Sequence, residues 1–257
     1  MSIGAFADRI VNDLLPTFCD DPHRAARGYG VAGFRSNFAA VHERDAANFL
    51  RAMDAGLITL VSRAEGPALH EAPRSRAGEQ FFWTGDKTVV PRPLTLWLEP
   101  VITVATLAVL HLDLGWPRHL LGTQSADWAF DVAAYPDAAS NDERIACEVK
   151  KTVAETDRLV AAMRRLGALP PDDAHGATDK NAYRKVKGLR ARRAPFFWAV
   201  GPGGHDAAFR LTYPEDGSID FEEMPTAALR YPLPDTSPES PGRVGALPGS
   251  HSPGRTA

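Results

Sequence analysis

Residues 128–152, WAFDVAAYPDAASNDERIACEVKKT, decide the fold. Two apolar runs, WAFDVAAY at 128–135 and RIACEVKKT at 144–152, read as strands, and the turn-rich PDAASNDE at 136–143 lies between them. A connection of about eight residues between adjacent strands most simply makes an antiparallel hairpin. Charge sits inside both runs: Asp131 between Phe130 and Val132, and Glu148 and Lys150 within IACEVK. Strand residues two apart share a face, so Glu148 and Lys150 project together. Pairing of the two strands brings Asp131 beside them.

Moving outward, residues 94–112 (LTLWLEPVITVATLAVLHL) read as a helix that starts near Leu98 or bends there, because proline is tolerated only in a first turn. LLGTQ at 120–124 is a further strand or the beginning of the 128–135 strand. Residues 153–166 form an amphipathic helix, and 180–193 a short basic helix interrupted by Gly188. PFFWAVG at 195–201 and AFRLTYP at 208–214 are strands. This order predicts an α/β fold with a central mixed sheet flanked by helices. Upstream, residues 2–15 and 37–53 read as helices, 57–61 as a strand, and 62–80 as a loop or linker. The expected organisation is a mainly helical N-terminal region at 1–80, an α/β domain at 81–231 and a disordered tail at 232–257, where 14 of 26 residues are Pro, Gly or Ser.

Composition excludes several classes. The 257 residues are 44% hydrophobic and 24% charged, ordinary for a globular chain and unlike a disordered or collagen-like one. Two distant cysteines, Cys19 and Cys147, allow no disulfide framework and no CxxC zinc pattern; Cys147 reads as a small core residue. The stretch around 100–112 is too short and too mixed to span a bilayer, and MSIGAFADRIVNDLL reads as an amphipathic helix rather than a signal peptide. No membrane association and a cytoplasmic location are expected.

Two carboxylates make a hard, oxygen-rich site for Mg²⁺ or Mn²⁺, and the carbonyl of Val149 adds a further oxygen. A cation there polarises a phosphate and acidifies a bound water, while Lys150 orients that water and offsets charge on the phosphate. The implied reaction is phosphodiester hydrolysis. Asp127 is a rival for Asp131, but Ser125-Ala126-Asp127 looks like an entry turn.

The D…ExK arrangement across strand, turn and strand, with a helix before and a helix after, resembles the restriction-endonuclease-like superfamily, the PD-(D/E)xK nucleases, over residues 95–214. The resemblance implies a mixed-sheet core with helices on both faces and metal-dependent DNA cleavage. It makes Asp131 and Glu148 metal ligands, Lys150 the catalytic lysine, and Glu99 a further acid from the preceding helix. Phe130 stands where the family has proline. Repair, restriction, phage defence and mobile-element processing are all open as settings, and a homodimer is open because a duplex cutter often needs two active sites.

The net charge of −3 conceals an asymmetry: residues 144–193 balance to +7 and the remainder to −10. Within 180–193, Lys180, Arg184, Lys185, Lys187 and Arg190 are expected to contact DNA phosphates; Lys151, turned away from Lys150 by strand alternation, faces solvent or DNA. Phe81, Phe82 and Trp83 are expected to pack rather than stack on bases. Two other readings stand beside the nuclease: a non-catalytic member of the same fold that binds nucleic acid or protein, and an unrelated α/β domain whose ExK is an exposed ion pair.

Overall fold

The computed structural model describes residues 2–63, 66–126, 129–171 and 179–232. Asp127 and, from residue 233 on, the expected tail lie outside the described residues. In chain order the helices are α1 (Ile3–Arg9), α2 (Leu15–Cys19), α3 (Pro22–Ala25), α4 (Glu43–Asp54), α5 (Leu98–Ala108), α6 (Val153–Gly167) and α7 (Lys180–Arg192). The strands are β1 (Thr59–Arg63), β2 (Gly66–Glu71), β3 (Phe82–Thr84), β4 (Leu94–Leu96), β5 (Leu121–Thr123), β6 (Val132–Ala134), β7 (Ile145–Val149), β8 (Phe196–Val200), β9 (Asp206–Thr212) and β10 (Asp220–Met224).

Side-chain caps set several helix starts. The hydroxyl of Thr152 accepts from the Glu155 N–H at 3.2 Å, and the Asp179 carboxylate from the Ala182 N–H at 3.1 Å, each satisfying a donor that the first turn leaves without a partner. Pro100 falls in the first turn of α5, which begins at Leu98 after an extended Trp97. The missing proline N–H is one the helix does not need there. Residues 94–96, expected as helix, instead form β4 against β3.

Six strands make one mixed sheet in the order β10-β9-β8-β7-β6-β5. β5, β6 and β7 meander antiparallel, β8 runs parallel to β7 after the crossover through α6 and α7, and β9 and β10 return antiparallel. The expected hairpin is present, with Val132 opposite Cys147 and Ala134 opposite Ile145. Both faces of the sheet are buried, which explains the unbroken apolar run in FFWAV. Val132, Ile145, Cys147, Phe196 and Trp198 pack toward α4, α5 and the N-terminal helices. Ala146, Phe197, Phe209 and Leu211 pack toward α6 and α7.

Three expectations change. β2 falls in the stretch read as linker and pairs with β1. Helix α7 runs through Gly188 without a break; a Cβ there would stand 3.2 Å from the Cβ of Ala129, so glycine admits the close approach of that strand entry. Phe81 and Phe82 are buried as expected, but Trp83 is 58% exposed, edge-on to Trp97 with ring centroids 5.5 Å apart. Among the described residues no helix is long and apolar enough to cross a membrane.

The outer edge of β5 is covered rather than open. The Arg74 N–H donates to the Leu121 carbonyl at 2.9 Å, and the Ser75 hydroxyl accepts from the Thr123 N–H at 2.8 Å. Such cover protects a strand edge from pairing with another chain. Gly122 makes it sterically feasible, because a Cβ there would lie 2.5 Å from the Arg74 carbonyl oxygen. Gly122→Ala is therefore expected to lower stability by about 1–3 kcal/mol, read as a shifted urea midpoint with unchanged slope.

Candidate active site

β6 and β7 position the acids. Continuing their register by one residue brings Asp131 level with Glu148, and Asp131 Oδ2 accepts the Val149 N–H at 2.9 Å. That bond ties one candidate ligand to the strand carrying the other. Glu148 is 2% exposed on the face covered by α6 and α7. Lys150, just beyond β7, continues the ladder by donating its N–H to the Val200 carbonyl at 2.9 Å. Its Nζ lies 2.5 Å from Glu148 Oε1, 2.7 Å from the Val149 carbonyl oxygen and 3.9 Å from Glu99 Oε1. Asp131, Glu148, Val149, Lys150 and Glu99, named from the sequence as one group, thus stand together.

The electrostatics of the group follow from crowding like charges out of water. Burial, then the neighbouring Asp131 carboxylate, pushes the Glu148 carboxyl up to about 7 against the pull of Lys185 and Lys150. Burial likewise raises Glu99, opposed by Lys150. Burial draws the Lys150 ammonium down, but Glu148, Asp131 and Glu99 outweigh it and hold its pKa above the ordinary lysine value.

The residues present fit a hard divalent cation. The Lys150 ammonium already acts as a stand-in cation, taking Glu148 Oε1 and the Val149 carbonyl as partners with Glu99 at the rim. Asp131 uses one carboxylate oxygen on the Val149 N–H, and a carboxylate has a second to offer. Among the described residues no cluster of three or more His, Cys, Asp or Glu side chains is placed to hold an ion. A pair of carboxylates with a carbonyl suits Mg²⁺, which keeps waters and substrate oxygens in its shell. An open groove of about 430 Å³ leads to the site, lined by Glu99, Lys150, Glu155, Arg158, Asp179 and Asn181.

The chain matches no known protein family, no curated protein and no solved structure.

The basic residues divide. Lys180, Arg184 and Lys187 are exposed along one side of α7, and Lys151 is exposed with its ammonium 3.9 Å from Glu155. Lys185 and Arg190 do not face outward as expected. Lys185 is 2% exposed, with Nζ 2.5 Å from Glu148 Oε2. Arg190 donates to the carbonyls of Gly217, Leu166, Gly167 and Leu169, fastening α7 to the end of α6 and to the loop at Gly217. A signal for Lys185 was present: Ala182, Val186 and Leu189 make the buried stripe, and position 185 lies within it at helical spacing.

Glu79 was not foreseen. It sits in the covering segment before β3, hydrogen-bonds Gln124, and has one buried oxygen without a hydrogen-bond partner. Burial pushes its carboxyl up to about 8, with Asp131, Glu99 and Glu148 adding to the rise. His70 Nε2 lies 4.0 Å away, its ring stacked on Phe81 and held neutral by complete burial, its pKa drawn down to about 3. No spacing marks Glu79 in the sequence; chain reversal after β2 brings it to the site.

These two groups shape pH stability in opposite senses. Glu79, raised from 4.5 to about 8, binds a proton in the fold that the unfolded chain releases, so its contribution is present below 4.5 and lost as pH rises through 8. His70, lowered from 6.5 to about 3, opposes this: its contribution is present above 6.5 and lost as pH falls toward 3. Between these two groups the slopes cancel from roughly 4.5 to 6.5, and their joint contribution then falls by about 2 kcal/mol up to pH 8; Glu148, raised to about 7, adds a fall of the same sign. Glu79→Gln is expected to flatten that alkaline fall in thermal melts; an unchanged slope would show that Glu79 is ionised in the fold.

Proposed function

We propose that the chain is a metal-dependent endonuclease that hydrolyses DNA phosphodiester bonds at the Asp131–Glu148–Lys150 site. One observation carries the reading: Glu148, the Val149 carbonyl and Glu99 gather around a single cationic position, with Asp131 braced against the same strand. The D…ExK residues lie in a mixed sheet with helices on both faces, the setting that the restriction-endonuclease-like resemblance implies, and that agreement supports placing the chain in this superfamily.

Asp131, Glu148 and the Val149 carbonyl would hold the ion, with Glu99 at the rim. When bound, Mg²⁺ or Mn²⁺ supplies Lewis-acid polarisation of the phosphate and a more acidic water. Lys150 orients the attacking water and donates to the developing negative charge. Lys180, Arg184 and Lys187 hold the phosphate backbone, and Lys151 adds a contact beside the site.

The decisive assay measures cleavage of linear, nicked, branched and single-stranded DNA with and without Mg²⁺ or Mn²⁺. Asp131→Asn, Glu148→Gln and Lys150→Gln are each expected to reduce cleavage at least about 100-fold while the circular dichroism spectrum is retained. Full activity in all three would overturn the assignment, and binding without cleavage under either metal would favour a non-catalytic binding protein.

Backbone contacts are tested separately. Replacing Lys180, Arg184 and Lys187 together by alanine is expected to weaken DNA binding uniformly across sequences. The slope of log affinity against log salt should become shallower by about 1 per contact removed. An unchanged slope would remove α7 from the interface.

A further inference from the structure

Buried lysines are uncommon, because the ammonium loses its hydration and the long stem its rotamer freedom. Lys185 is nevertheless 2% exposed in the middle of the basic helix, facing away from Lys180, Arg184 and Lys187. Its Nζ lies 2.5 Å from Glu148 Oε2 and donates to the Ala129 carbonyl at 2.9 Å. Ala129 is two residues before Asp131. One ammonium therefore joins α7, the approach to β6 and the acid of β7.

The two oxygens of Glu148 are divided between two lysines. Lys150 takes Oε1 and also contacts the Val149 carbonyl; any cation binding there competes with it for both atoms. Lys185 pairs with Oε2, on the opposite edge of the carboxylate, as an ion pair without a hydrogen bond, its donor being directed to the Ala129 carbonyl, and it does not compete. A carboxylate anchored by one oxygen keeps its other oxygen at a fixed direction, which is how outer partners orient metal ligands.

We infer that Lys185 is a positioning residue of the metal centre: it fixes Glu148 through Oε2 so that Oε1 stays aimed at the cation position beside the Val149 carbonyl. The inference rests on the metal-centre reading given above. It gives Lys185 a role distinct from the phosphate contacts of its neighbours on α7.

Mn²⁺ binding to the full chain, measured by calorimetry without DNA, tests it. Lys185→Met is expected to weaken Mn²⁺ binding about 10–100-fold. The Mn²⁺ midpoint of DNA cleavage should shift by the same factor, while the rate at saturating Mn²⁺ stays within a few-fold of wild type. A purely structural lysine would lower thermal stability without moving the metal midpoint. Where Lys185→Met does not fold, Lys185→Gln, which keeps a neutral donor, is expected to show the same loss. Unchanged or tighter Mn²⁺ binding in a folded variant overturns the role of Lys185 alone; absence of Mn²⁺ binding by wild type overturns the metal centre with it.

Discussion

The buried carboxylate of Glu148 is the constraint around which the molecule is arranged. An ionised carboxylate taken out of water is costly unless paired and hydrogen-bonded. Here Lys150, from the end of β7, donates to Oε1, and Lys185, from α7, forms an ion pair with Oε2, which has no hydrogen-bond partner. The position therefore depends on the sheet, the crossover and the second helix all being in place. Stability does not account for such a group, since well-packed apolar residues in place of a buried ion pair are often neutral or stabilising. Glu79, Glu99 and Asp131 crowd the same region and raise the cost further. Carboxylates gathered against their mutual repulsion are an arrangement that a cation relieves.

The topology follows from the same point. A parallel β7–β8 pair needs a crossover, and crossover helices lie on a sheet face. α6 and α7 occupy the face on which Glu148 projects, so the connection that makes the pair parallel also delivers Lys185. The other face is sealed by α5 and α4 with the N-terminal helices, in one apolar cluster running from Phe6 to Leu229. The segment at 74–76 then closes the β5 edge and carries on to Glu79 beside the site. Regions separated in sequence by a linker-like composition thus contribute to one core and one site.

Much of this was legible in the sequence wherever local chemistry and global packing agree. Short, nearly unbroken apolar runs marked β6, β7 and β8, and the apolar stripe of 153–166 and the basic run of 180–193 marked α6 and α7. The D…ExK spacing told which acids share a site because register is fixed once the hairpin forms. What was not legible has physical reasons. β2 opens with Gly-Pro, a turn signal, and becomes a strand only because β1 pairs with it. β10, DFEEM, is an edge strand with little apolar alternation and owes its place to β9. Glu79 reaches the site through tertiary contacts with no sequence period. Lys185 was read by its charge, whereas its place on the buried stripe of α7 determines its direction.

Charge is separated within the site, and this bears on how binding and chemistry relate. The groove carries Glu99, Glu155 and Asp179 around Lys150 and Arg158, while Lys180, Arg184 and Lys187 stand on the outward side of the helix that covers Glu148. A phosphate backbone is attracted to the helix and repelled by the carboxylates. On the proposed reading, a divalent ion held at Glu148 would reverse the sign locally and offset the repulsion of a phosphate. On that reading backbone affinity would reside mainly in α7 and need no metal, whereas admission of a phosphate to Lys150 would. The overall charge of −3 averages over the whole chain and describes neither of these two surfaces.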